Sequence, residues 1–156
     1  MRQVSKPSKS KITALSASRP STLDDFLALS RILTGVQVLD SEIGSQYLDR
    51  LNSSPLQPAL ATILERFREI VPGPEAPEGV KEKIIADEKL RPAVSQIILL
   101  WYTSAMRDSE SSSLTLRFGT QEAYFSGLVW SLLGAHPPGL SGGYFGHWRY
   151  APENEP

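Results

Sequence analysis

The final twenty-two residues, 135–156, constrain this chain most, because they exclude regular secondary structure while carrying bulky rings. Four glycines and four prolines fall in the stretch from Ala135 to Pro156. Proline removes an amide donor and glycine keeps too much freedom in the coil, so no helix forms across them. Yet Tyr144, Phe145, Trp148 and Tyr150 sit among them. A disordered tail is normally poor in aromatics, since it has no core in which to bury them. The rings must therefore pack without helix or strand, either over the chain's own domain or on another protein.

Upstream the spacing is helical. Thr22 can cap a first helix, with Asp24 and Asp25 at its positive end and Leu23, Phe26, Leu27, Ser30 and Leu33 along it. Gly35 is a stop. A second helix starts at Asp40 and places Ile43, Tyr47, Leu48 and Leu51 on one stripe, ending at Asn52-Ser53-Ser54-Pro55. Pro58 opens a third, with Leu60, Ile63, Leu64 and Phe67 as its apolar face. Residues 71–79 read as a loop, and Val80, Ile84 and Ile85 as a short helix. Pro92 opens a longer helix to about Met106 that is apolar nearly all round, which predicts the central buried element. Residues 107–113 read as a loop and Leu114–Phe118 as a short extended piece. Thr120 caps a last helix from Gln121 to about Leu133, stopped by Gly134; Trp101 and Trp130 read as core.

This pattern predicts an all-α fold, a small orthogonal or bundle-like helical domain. A disordered basic arm occupies residues 1–21, the helical domain 22–134 and an extended docking tail 135–156. The arm holds Arg2, Lys6, Lys9, Lys11 and Arg19 and no acid. It has neither the apolar h-region of a secretory signal nor paired arginines. No run approaches the length of a membrane span. The net charge of −1 argues against a nucleic-acid binder, and the absence of cysteine excludes disulfides, thiolate nucleophiles and thiolate zinc sites.

Candidate chemistry is sparse. His136 and His147 are the only histidines, and their separation matches no metal-ligand spacing. Hydrogen-bonded tail histidines are the plainer reading; an independent small enzyme using them as acid and base is the alternative function. Gly139-Leu140-Ser141-Gly142-Gly143 lacks the strand–turn–helix context of a nucleophile elbow. The glycines of Gly142-Gly143-Tyr144-Phe145-Gly146 precede no helix that would hold a phosphate. Glu65, Arg66, Arg68 and Glu69 read as a solvated helix face rather than acid–base machinery, as do Asp24, Asp25, Asp40 and Glu42. Trp148 and Tyr150 flank Arg149, the residue types that dominate interfaces.

Four segments carry a family resemblance. They are Phe26-x-x-Leu29-Ser30-x-x-Leu33-Thr34-Gly35, Val94-Ser95-Gln96-Ile97-Ile98-Leu99-Leu100-Trp101-Tyr102-Thr103, Glu122-Ala123-Tyr124-x4-Val129-Trp130, and Gly146-x-Trp148-x-Tyr150-x-Pro152. Together, over about residues 22–153, they resemble the small accessory subunit of membrane-bound, FAD-dependent sorbitol, fructose and glucose dehydrogenases.

The resemblance implies a non-catalytic role, with no catalytic, cofactor or metal site in this chain. FAD, the catalytic histidine and the sugar site would belong to a large partner subunit, and a cytochrome c subunit would pass electrons to membrane quinone. The small subunit would help the large one mature and reach the periplasmic side of the inner membrane, touching the membrane only through its partners. Tyr144, Phe145, Trp148, Arg149, Tyr150 and Pro152 are the expected partner-binding residues. Two departures stand out: relatives often carry a twin-arginine signal, which residues 1–21 lack, and often a cysteine near the position of Ser141.

Overall fold

The apolar stripes read from the sequence converge on one core in the computed structural model, which describes residues 22–70, 72–107 and 115–138. Helix α1 (Thr22–Thr34) carries Asp24 and Asp25 in its first turn and Arg31 in its last, each sign at the dipole end that favours it. It buries Phe26, Leu27 and Leu29, and Gly35 follows at φ 73°, a left-handed conformation suited to glycine. Helix α2 (Ser41–Asn52) begins where expected. Asp40 accepts hydrogen bonds from the amides of Glu42 at 2.8 Å and Ile43 at 3.1 Å, satisfying two otherwise orphaned donors. Its stripe of Ile43, Tyr47, Leu48 and Leu51 is buried.

Helix α3 (Gln57–Arg68) has Pro58 in its first turn and buries Leu60, Ile63 and Leu64. Its charged residues are more than a solvated face. Arg68 Nε donates to Asp25 Oδ2 of α1 at 2.6 Å, and that carboxylate is buried. Arg66 Nη1 reaches the Lys83 carbonyl at 2.8 Å and Asp87 Oδ2 at 2.9 Å. The expected solvation holds for Glu65 and Glu69, which are exposed. Asp87 is held below the usual carboxylate range, first by the Lys89 amide and then by Arg66. The short helix expected near Val80 is α4 (Ala76–Val80) followed directly by a π-helical turn (Lys81–Ile85). The wider turn closes through Ala86 N to Lys81 O at 2.9 Å and sets both Val80 and Ile84 in the core.

Helix α5 (Arg91–Thr103) is the central element, packed against α1, the π-helical turn and the C-terminal segments. Ala93, Val94, Ile97, Leu100 and Trp101 are all buried. Trp101 meets Tyr47 edge-on, ring centroids 5.1 Å apart, an arrangement aromatic quadrupoles favour. Among the described residues the Trp101 indole N–H finds no acceptor, so the ring contributes through its apolar area.

Several boundaries differ from the sequence reading, beginning with α4, which starts at Ala76 inside the stretch 71–79 read as a loop. Helix α5 ends at Thr103 rather than near Met106, because Ser104 turns left-handed at φ 57°. Met106 therefore lies in strand β1 (Ala105–Arg107), paired antiparallel with β2 (Leu116–Phe118) in the register Ala105↔Phe118, Met106↔Arg117, Arg107↔Leu116. The last helix is two, α6 (Gln121–Phe125) and α7 (Leu128–Leu133), broken at Ser126-Gly127. Thr120 caps α6 as expected, and Gly134 ends α7 at φ 60°. Among the described residues the fold is thus helical apart from one two-stranded hairpin.

Two measurements test this core. Ile97 is fully buried, so Ile97→Ala lowers the free energy of unfolding in urea by about 2–5 kcal/mol. Burial pushes the Tyr47 hydroxyl up to about 12, against a smaller opposing pull from Arg50. Its folded pKa lies above its unfolded value, so the stability it contributes is complete below about pH 10 and is lost as the pH rises towards 12. Absorbance titration at 295 nm shows a tyrosine ionising late, and Tyr47→Phe removes that late step.

Candidate partner-docking surface

The expected docking residues Tyr144, Phe145, Trp148, Arg149, Tyr150 and Pro152 lie outside the described residues, as do Ser141 and His147. His136 is exposed just beyond α7. No group of three or more His, Cys, Asp or Glu placed to hold a metal ion occurs among the described residues. What the structure places is the platform from which the tail departs: the hairpin, α6 and α7.

That platform begins with the reversal at Ser104. Arg50, on α2, donates through Nη1 to the Ser104 carbonyl at 2.8 Å and through Nη2 to the Arg117 carbonyl at 2.8 Å. One guanidinium thus ties the end of α5 to strand β2, and its fixed fork geometry specifies both acceptors. Its partial burial lowers its pKa, with nearby Tyr47 acting in the opposite direction. Gln96, buried on α5, clamps the other strand. Its amide donates to the Ala105 carbonyl at 3.0 Å and accepts from the Arg107 amide at 3.0 Å. Neither residue was singled out by sequence reasoning. The signal available was Gln96 as a large polar side chain beside the apolar run Ile97–Trp101.

From the hairpin the chain enters α6. Thr120 Oγ1 accepts from Ala123 N at 3.2 Å and donates to Gln46 Oε1 at 2.9 Å, so the cap also fastens the segment to α2. Ala123 is fully buried. At the break between α6 and α7, a Cβ on Gly127 would stand 2.8 Å from the Tyr102 backbone carbonyl and 3.2 Å from that of Tyr124. A side chain has no room there, so glycine is required at the point where the expected continuous helix splits. Trp130 Nε1 donates to the Tyr124 carbonyl at 2.8 Å. Trp130 is therefore half-buried and hydrogen-bonded rather than part of the core. Tyr124 sits at the centre of a ring cluster, edge-on to Phe118 at 5.9 Å and to Trp130 at 5.3 Å.

The outcome is a surface rich in apolar atoms. Phe118 is 55 %, Leu132 72 % and Leu133 67 % exposed, and none of the residues of α7 is buried. No described helix is long and apolar enough to cross a membrane. Arg50, Gln96, Gln46 and Thr120 hold these elements in place through the hydrogen bonds above.

Gly127→Ala tests this geometry. A methyl group driven against two backbone carbonyls costs about 1–3 kcal/mol, read as a drop in thermal midpoint. Gly134→Ala meets nothing within 4 Å, so its cost is confined to the left-handed backbone.

None of the curated proteins compared with this chain matches it. The family described as "Membrane bound FAD containing D-sorbitol dehydrogenase" matches residues 3–120. The match takes in most of the helical domain and part of the basic arm, and stops at the cap of α6, short of the Trp130 segment and the tail. Since it spans well over half of the sequence, this chain belongs to the membrane-bound FAD-containing D-sorbitol dehydrogenase family.

Proposed function

We propose that this chain is a non-catalytic accessory subunit of an FAD-dependent sugar or polyol dehydrogenase complex that feeds electrons to the respiratory chain. FAD resides in a large partner subunit, to which this chain binds, and a cytochrome c subunit joins the complex through that partner. The complex works on the periplasmic side of the inner membrane, and this chain assists the maturation or export of the large subunit. Family membership is the observation that carries the reading.

The polar contacts of the domain support it. Arg50, Gln96, Thr120, Arg68 and Asp25 are each committed to fixing one element on another. Side chains so engaged hold a shape; they are not poised for proton transfer, which needs a group free to meet substrate. The tail supplies the contact itself. Tyr144, Phe145, Trp148 and Tyr150 with Arg149 and Pro152 are the side chains we assign to the partner, and each ring removes about 150–250 Å² from water when buried.

The test is co-expression with the flavin-carrying subunit of the same dehydrogenase. The full chain co-purifies with it on size exclusion, and removing residues 140–156 abolishes the complex while the helical domain keeps its circular dichroism. A complex that survives the truncation refutes docking through the tail.

A further inference from the structure

The elements after the Ser104 reversal fall into two groups by what holds them. Strand β1 belongs with the core. Ala105 is fully buried, and buried Gln96 holds both the Ala105 carbonyl and the Arg107 amide. Strand β2, α6 and α7, within residues 116–134, are attached differently. Their buried residues are Ala123 and Gly127, and neither carries a side chain larger than a methyl group. Leu128 is partly buried against the core. The hydrophobic share of this attachment is small, because it scales with the apolar area removed from water.

Polar groups line the seam. Arg50 Nη1 and Nη2 hold the Ser104 and Arg117 carbonyls, each at 2.8 Å. The Gly119 amide donates to the Ser104 carbonyl at 2.9 Å, Thr120 Oγ1 to Gln46 Oε1 at 2.9 Å and the Tyr47 hydroxyl to the Ala123 carbonyl at 3.5 Å. Neutral bonds that exchange for bonds to water contribute little net stability, whereas a charged, partly buried donor contributes more. Arg50 is that donor. The ladder between β1 and β2 is three residues long, and a two-stranded pair of that length is marginal by itself in water.

Inside the group the cohesion is aromatic. The Tyr124 ring meets Phe118 of β2 at 5.9 Å, Phe125 at 5.8 Å and Trp130 of α7 at 5.3 Å, and the Trp130 indole donates to the Tyr124 carbonyl at 2.8 Å. None of these four rings belongs to the main core, so they form a satellite cluster. One ring thus supports all three elements, and displacing one element removes support from the others. Helices of five and six residues do not persist alone in water, so neither α6 nor α7 survives detachment.

We infer that residues 116–134 form a separate cooperative unit, pinned to the core by Arg50, that opens and unfolds while α1–α5 and β1 stay folded. Few buried apolar contacts and a polar seam are the conditions under which part of a domain opens below the free energy of global unfolding. Opening withdraws Ala123 from the core and leaves the Tyr47 hydroxyl without its acceptor.

Amide hydrogen exchange of the full chain, followed by NMR in urea concentrations below the unfolding transition, tests this. Gly119, Tyr124 and Ser126 report on the unit, and Ile97 and Leu100 on α5. The first set shares one opening free energy, is protected at least about tenfold less than the second, and responds less steeply to urea because less surface is exposed. Ile63→Val separates the two events. Ile63 is fully buried in α3, which packs against α1, α2 and the π-helical turn. The substitution weakens the core in the closed and opened chain alike, so protection in α5 falls several-fold while that of the unit stays the same. Arg50→Met keeps the stem and deletes the donors. It lowers protection of the unit at least about tenfold with the far-ultraviolet circular dichroism retained.

Three results overturn the proposal. Ile63→Val lowering both sets by the same factor makes the chain one cooperative whole. Unrelated opening free energies at Gly119, Tyr124 and Ser126, without urea dependence, mean local fraying rather than a unit. Protection of the unit within twofold in Arg50→Met removes the pin.

Discussion

The architecture depends on how helix α5 ends. Its interior is secured by burial of Ile97, Leu100 and Trp101, which is generic hydrophobic association. Its end is specific. Ser104 adopts a left-handed conformation that side chains other than glycine rarely take, and the surrounding contacts hold it there. Arg50 binds the Ser104 carbonyl, and the Gly119 amide donates to the same carbonyl at 2.9 Å. Everything C-terminal to this reversal is aimed by it: the hairpin, α6, α7 and the point at which the tail departs.

The polar groups that hold the platform share a design. Arg50, Gln96, Gln46 and Thr120 reach across elements far apart in sequence, mostly to backbone groups. Such contacts gain their strength from partial burial, and an unpaired carbonyl left behind would cost more than the bond contributes. They allow a segment with little core of its own to be fixed rigidly. Ala123 is the one fully buried residue of α6, and α7 has none. Alongside this polar fastening Leu128 packs against the core, while Phe118, Leu132 and Leu133 stay exposed.

The described residues divide into a core packed around α5 and an apolar margin at the C-terminal elements. The family to which the chain belongs is described by a flavin and a membrane. No described helix is long and apolar enough to cross a membrane.

Local chemistry made much of this fold legible in the sequence. The caps Asp40 and Thr120, the stops Gly35 and Gly134, and Pro58 and Pro92 near helix starts all act through their own backbone and nearest neighbours, so their effect follows from residue type alone. The apolar stripes of α1, α2, α3 and α5 likewise follow from helical spacing. The residues expected to bind the partner were read from composition, and their six positions lie outside the described segments. Tertiary contacts decided the rest. Arg66 and Arg68 became bridges rather than a solvated face because Asp87 and Asp25 are brought to them from other elements. Helix α5 stops three residues early at the left-handed Ser104, whose carbonyl is held by Arg50 and Gly119, and the last helix splits at Ser126-Gly127, where the Tyr102 carbonyl leaves no room for a side chain. A sequence states which side chains favour a helix; only the folded neighbours determine where its backbone has room to continue.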